Sequence, residues 1–89
     1  MITTRTWSVQ IFLTDEGERT RADAVLHSGA MPELRGVGHA HSSPRALTVP
    51  EIGDELAAAE ALAELSTKLV TSAALDIDAL GQQALRQPV

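Results

Sequence analysis

The chain has no cysteine and no tyrosine, and a single tryptophan and a single phenylalanine stand for all of its aromatic side chains. The missing cysteine excludes disulfides and thiolate metal sites outright. The missing aromatics remove the side chains that usually dominate core burial, so the 44% apolar content is mostly Ala, Leu and Val. Basic residues are also scarce: 7 Lys and Arg stand against 12 Asp and Glu, for a formal net charge of -5. Phosphate binding draws its non-specific affinity from Lys and Arg, so this balance disfavours direct nucleic-acid binding. No apolar run approaches a membrane span, and the N-terminal Met1-Ile2-Thr3-Thr4-Arg5-Thr6 lacks a secretory apolar region, which makes a cytoplasmic protein without a membrane partner the expectation.

Eighty-nine residues make one domain with a thin core. A core of this size rarely supplies more than about 3–5 kcal/mol, and small domains add disulfides, metals or oligomerisation. With disulfides excluded, pairing with a second copy is the expected remedy.

Two periodicities divide the chain. Trp7, Val9, Ile11 and Leu13 alternate with polar residues, predicting a strand over about 6–14. Asp15-Glu16-Gly17-Glu18 reads as a four-residue hairpin loop that sets Thr14 opposite Arg19 and Ile11 opposite Ala22, with a second strand over about 19–27. Ser28 to Pro32 interrupts, and Leu34, Gly36, Gly38 and Ala40 then alternate through a third strand over about 33–41. Gly36 and Gly38 fall on the face shared with Ala22, Ala24 and Ala40, a floor of small residues on which an Ala-rich helix can lie close. A three-stranded meander of this kind leaves both of its edges open to pairing.

Ser42-Ser43-Pro44-Arg45-Ala46 reads as a loop, and Thr48 with Glu51 has the spacing of a capping box with Pro50 in the first turn. A helix over about 50–75 follows, with a stripe of Ile52, Leu56, Ala59, Leu62, Ala63, Leu69, Val70 and Ala73 and with Glu60, Glu64, Lys68 and Thr71 facing outward. Asp76 caps a short extra turn over about 76–81 that Gly81 stops, and fraying is expected after Gln83. The expected fold class is α+β: a β-β-β-α two-layer domain spanning residues 1–89.

Candidate chemistry is sparse. His39 and His41 share a strand face, as metal ligands can, but no third ligand falls beside them, so neither a metal nor a cofactor is expected. Asp54, Glu55 and Glu60 are explained by the positive end of a helix and a solvated helix face rather than by acid-base catalysis. No catalytic residue is singled out and an enzyme is not expected. The outer sheet face carries the candidate interaction surface: Phe12, Val25 and Val37, rimmed by Arg21, Arg35 and His39 together with Asp23. Charge is segregated, because Arg19, Arg21, Arg35 and Arg45 belong to the strand half and Glu51, Asp54, Glu55, Glu60 and Glu64 to the helix.

The spaced residues Trp7-x-Val9-x-Ile11, Thr20-x-Ala22-x-Ala24-x-Leu26 and Leu34-x-Gly36-x-Gly38-x-Ala40, followed by Pro50-Glu51-Ile52-Gly53-Asp54-Glu55-Leu56 and Ala61-Leu62-x-x-Leu65, cover nearly the whole chain. In this pattern the sequence resembles the actinobacterial domain-of-unknown-function family 1876, which includes mycobacterial proteins induced in hypoxia and dormancy. The resemblance implies a β-β-β-α fold related to double-stranded-RNA-binding domains and a homodimer formed by exchange of elements. It also implies a role like that of ribosome hibernation factors, with the ribosome as partner; a plain protein-interaction module with a different partner is the alternative. Within the motif, Gly36, Gly38, Pro50, Glu51, Ile52, Gly53, Asp54 and Leu56 read as a helix-start and packing signature rather than an active site.

Overall fold

The structure, a computed structural model, describes residues 1–41 and 50–86, with side chains through Gln83. Strand β1 (Ser8–Glu16) turns into β2 (Arg19–His27) through only two residues, Gly17 and Glu18. Gly17 has φ +70°, and no other residue type among those described has positive φ, so the turn follows the pattern in which glycine takes the first central position. The two-residue turn replaces the expected four-residue loop. It sets Glu16 opposite Arg19, Ile11 opposite Ala24 and Val9 opposite Leu26, a register two residues away from the expected one. A slip of two preserves which side chains share a face, so odd residues of β1 and even residues of β2 still lie together.

Strand β3 (Arg35–His41) pairs antiparallel with β2, setting Gly38 opposite Ala22 and Gly36 opposite Ala24. The Leu26 amide donates to the Leu34 carbonyl at 2.9 Å and carries the ladder one step beyond the strand. The sheet has the order β1-β2-β3. With the helix that follows, this is an α+β meander-plus-helix domain.

Helix α1 (Pro50–Arg86) is a single element of 37 residues. The loop expected at Ser42–Ala46 and the capping residue Thr48 lie outside the described residues. The helix does not end near 75 and restart at Asp76, and Gly81 does not stop it. One interior glycine costs only about 1 kcal/mol relative to alanine, and the residues around it are mostly strong helix formers. The next proline is Pro88.

The helix lies across β3 and β2 and barely touches β1. Its buried face is Ala57, Ala61 and Leu65, packed on Ala22, Ala24, Leu26 and Ala40, with Ile11, Leu34 and Leu69 at the margin. The expected stripe is therefore rotated: Ile52, Leu56, Leu62 and Val70 are exposed, and so are Ala59, Ala63 and Ala73. The glycines decide the rotation. A Cβ on Gly36 would overlap the Ala61 carbonyl and stand 2.6 Å from the Leu65 amide nitrogen; one on Gly38 would overlap backbone atoms of Ala57 and Ala61 and stand 2.8 Å from the Glu60 Cβ. Backbone meets backbone here, so only small side chains fit between the layers and the larger aliphatic face turns away.

This close approach also places the helix flank beside the outer edge of β3. The Glu60 carboxylate accepts from the His39 amide and the Glu64 carboxylate from the Val37 amide, both at 3.3 Å, while the Lys68 ammonium donates to the Arg35 carbonyl at 2.7 Å. Four residues of helix rise about 6 Å and two residues of strand about 6.6 Å, so side chains at every fourth helical position meet every second strand position. The helix thus stands in for a fourth strand. Glu60 and Lys68 are exposed as expected, and together with the half-buried Glu64 they also seal an edge expected to be open. The Lys68 hydrogen bond, and then the one from the Val37 amide, hold the Glu64 carboxyl below its ordinary range.

Gly38→Val should destabilise the fold by more than about 3 kcal/mol, beyond ordinary overpacking, because backbone rather than a movable side chain occupies the space. Thermal melting measures this, and an unchanged midpoint would contradict the close approach. A depressed carboxyl contributes stability above the unfolded-state glutamate pKa and loses it as pH falls through the depressed value. Glu64→Ala should therefore melt below the parent at neutral pH, with the difference closing on acidification below the ordinary glutamate range. A constant gap across pH would refute an ionised brace.

Candidate interaction surfaces

The outer face of the sheet is set by the register. Phe12, Asp23 and Val37 form one cross-strand row, flanked by Gln10, Val25 and Arg35 on one side and Thr14, Arg21 and His39 on the other. Val25 is only 3% exposed although no helix lies over it, Val37 is half-buried, and Phe12 is 48% exposed. The three apolar residues thus form a small patch with Phe12 as its accessible part.

Its rim is ordered by charge. The Arg21 guanidinium donates two hydrogen bonds of 3.1 Å to the two oxygens of Asp23. Arg21's hydrogen bond, with further pull from the positive charge of Arg21, Arg35 and His39, holds the Asp23 carboxyl below its usual range, while pairing with Asp23 raises Arg21. At the turn Arg19 pairs with Glu16 at 3.3 Å. At the opposite end His27 Nδ1 meets Glu33 at 2.6 Å. Two outer-face arginines are therefore already engaged by acids.

His39 lies opposite Arg21 and His41 opposite Arg19, so the cross-strand neighbours of both histidines are cationic. Among the described residues no group of three or more His, Asp or Glu is placed to hold a metal ion. The Pro50–Leu56 motif enters the helix with Glu51, Ile52 and Leu56 exposed and Gly53 and Asp54 half-buried. A Cβ on Gly53 would meet the Thr20 hydroxyl oxygen at 3.4 Å, which ties this turn to β2. Thr20, the buried polar residue of the sheet, donates in turn to Asp15 at 3.4 Å.

A second surface lies on the helix side, where β1 is left uncovered. Trp7 is 57%, Val9 42% and Leu13 47% exposed, although all three are on the face that β2 and β3 bury under α1. Near the end of this row a groove of about 600 Å³ opens between the 28–34 connection and the helix, with Trp7, Leu26, Met31, Leu34, Leu69 and Asp76 among its lining. The sequence reading counted Trp7, Val9 and Leu13 with the core face and assigned them no surface, whereas the helix covers only the β2 and β3 part of that face. It missed the roles of Glu60, Glu64 and Lys68 as well; their four-residue spacing opposite Arg35, Val37 and His39 was the available signal.

Among the described residues no helix is long and apolar enough to cross a membrane. A family model described as Rv2632c-like matches residues 5–86. Similar curated proteins include Rv2632c of Mycobacterium tuberculosis H37Rv, 39% identical over 79 residues, covering 89% of this chain and 84% of that protein. MT1780 of M. tuberculosis CDC 1551 is 40% identical over 80 residues, covering 90% and 84%. Both carry the name of uncharacterized proteins. The crystal structure of Rv2632c superposes with a TM-score of 0.80 at 37% identity, covering 98% of each chain. With sequence and fold matching along nearly its whole length, the chain belongs to the Rv2632c-like family.

Proposed function

We propose that the protein is a nonenzymatic, cytoplasmic binding module of the stress or dormancy class that works as a homodimer and meets its target through the outer face of the sheet, with the ribosome as that target. The observation that carries this reading is the division of charge between the two layers: Arg19, Arg21, Arg35 and His39 share the outer sheet face with Phe12, whereas Glu51 and Glu55 are exposed on the helix of the opposite layer. Arg19 and Arg21 are paired with Glu16 and Asp23, so Arg35 is the outer-face arginine that no ion pair engages among the described residues, and a polyanion would meet it there and be repelled by the helix. The nonenzymatic reading is supported by the structural employment of the acids: Glu60 and Glu64 hold the β3 backbone. The homodimer, formed by exchange of elements in the resembling family, supplies partner burial for a core built mostly of alanine.

A second reading is favoured by one observation. Arg21 and Arg19 are already paired with Asp23 and Glu16, so the rim is close to neutral around an exposed Phe12, which suits a protein partner.

Co-sedimentation with purified ribosomes separates the two. Under the first reading the protein pellets with ribosomes at low salt, is released as salt is raised, and loses binding in Arg35→Glu. Failure to co-sediment at low salt would exclude the ribosome. The second reading then requires a ribosome-independent protein partner whose capture is lost in Phe12→Asp and retained in Arg35→Glu.

A further inference from the structure

The centre of the outer sheet face is an acid. Asp23 lies on the middle strand, between Phe12 and Val37 across the sheet and between Arg21 and Val25 along its own strand, with Arg35 and His39 at the two β3 diagonals. Three basic side chains are thus grouped around one carboxylate. Arg21 binds it through two hydrogen bonds of 3.1 Å, one to each oxygen. The charges of Arg35 and His39 act on it as well and help to hold it ionised. The Asp23 side chain is 15% exposed, whereas that of Arg21 is 44% exposed and open to exchange with a group from solvent. Arg21 and Asp23 are two residues apart on one strand, so their bond joins no separate elements, unlike the Glu60, Glu64 and Lys68 bonds that tie α1 to β3. A pair of this kind adds little to stability. What it changes is charge: it neutralises Arg21 in the middle of the face and leaves Arg35 as the outer-face arginine without an ion pair among the described residues.

We propose that Asp23 is a built-in counter-anion that closes a two-arginine site, and that an anionic polymer anchored on Arg35 opens it by taking the Arg21 guanidinium from the carboxylate. This role rests on the outer-face reading given above and specifies how that face admits its ligand. A single phosphate must compete with a carboxylate that already holds both hydrogen bonds. A polymer anchored at Arg35 instead brings its next anionic groups to Arg21 at high effective concentration, so the exchange becomes intramolecular. Arg35 stands opposite Val25, four residues along β2 from Arg21. The two Cα atoms are therefore about 14 Å apart, and one chain of linked phosphates can touch both side chains. The carboxylate left behind repels the bound polymer, which keeps its capture reversible.

Calorimetric titration with inorganic polyphosphate at low salt tests the exchange. Asp23→Asn, which keeps the size of the side chain, should bind about tenfold more tightly than the parent, the effect of one added phosphate contact at low salt, with a log affinity against log salt slope steeper by about 0.7. Glu55→Gln removes an exposed acid from the helix layer and corrects for net charge; it should stay within about twofold of the parent. The gain should vanish when Asp23→Asn is combined with Arg21→Gln. Circular dichroism checks that each variant folds. In the parent itself the Arg21 Nε–H resonance should shift on saturation with polyphosphate, a readout that needs no substitution. A gain no larger than that of Glu55→Gln, a gain that survives Arg21→Gln, or an Arg21 resonance unmoved in the bound parent would overturn the counter-anion. The outer-face reading is decided separately, by loss of parent binding in Arg35→Glu. Absence of polyphosphate binding in both the parent and Asp23→Asn would overturn both.

Discussion

The close passage of α1 over Gly36 and Gly38 is the contact on which the rest of the architecture depends. Because a Cβ at either glycine would run into helix backbone, the interface admits only small side chains, and the core becomes Ala22, Ala24, Ala40, Ala57 and Ala61 closed at its end by Leu26 and Leu65. Such an interface stabilises through tight packing over a short distance rather than through large buried area. It also fixes how far the helix flank stands from β3, within reach for two carboxylates and an ammonium to bond the strand's outward backbone groups. Acids that composition assigns to solvent therefore become part of the sheet.

Centring the helix on β3 has a cost at the other side of the sheet. A helix is about 10 Å across and strands are about 4.8 Å apart, so one helix held against β3 and its edge covers β2 but not β1. Trp7, the largest side chain in the protein, and its neighbours Val9 and Leu13 are left exposed as a result. The long helix adds to this imbalance, since its later turns carry Leu75, Ile77 and Leu80 into solvent and stretch the molecule to 66 × 30 × 18 Å. The fold is thus tight at the β3 edge and open at the β1 edge among the described residues. The outer sheet face stays separate from this exposed row, because the side chains of each strand alternate between the two faces.

Much of this was legible in the residues because the period-two signal is strong where it matters. Trp7, Val9, Ile11 and Leu13, the even residues of β2 and the Gly36-Gly38 pair define one common face without knowledge of the turn, and even a two-residue error in the hairpin preserves it. The hairpin register itself was obscured by the acidic run around Gly17, where two and four loop residues look alike until the positive φ of Gly17 is known. The buried side of the helix was harder still. With alanine at 57, 58, 59, 61 and 63, hydrophobicity alone favours the bulky Leu56 and Leu62 as the inward face, whereas the close approach selects the smallest residues. The brace on β3 was hidden because Glu64 and Lys68, four residues apart, also satisfy the pattern of a solvent-facing ion pair, and they do form one at 3.1 Å.

The central claim is the contrast between a sealed β3 edge and an open β1 edge, and residue-resolved amide hydrogen exchange tests it most directly. The Val37 and His39 amides should be protected, because the Glu64 and Glu60 carboxylates accept from them, while the outward-facing amides of β1 should exchange freely. Rapid exchange at Val37 and His39, or outward-facing β1 amides protected as well as those two, would contradict it.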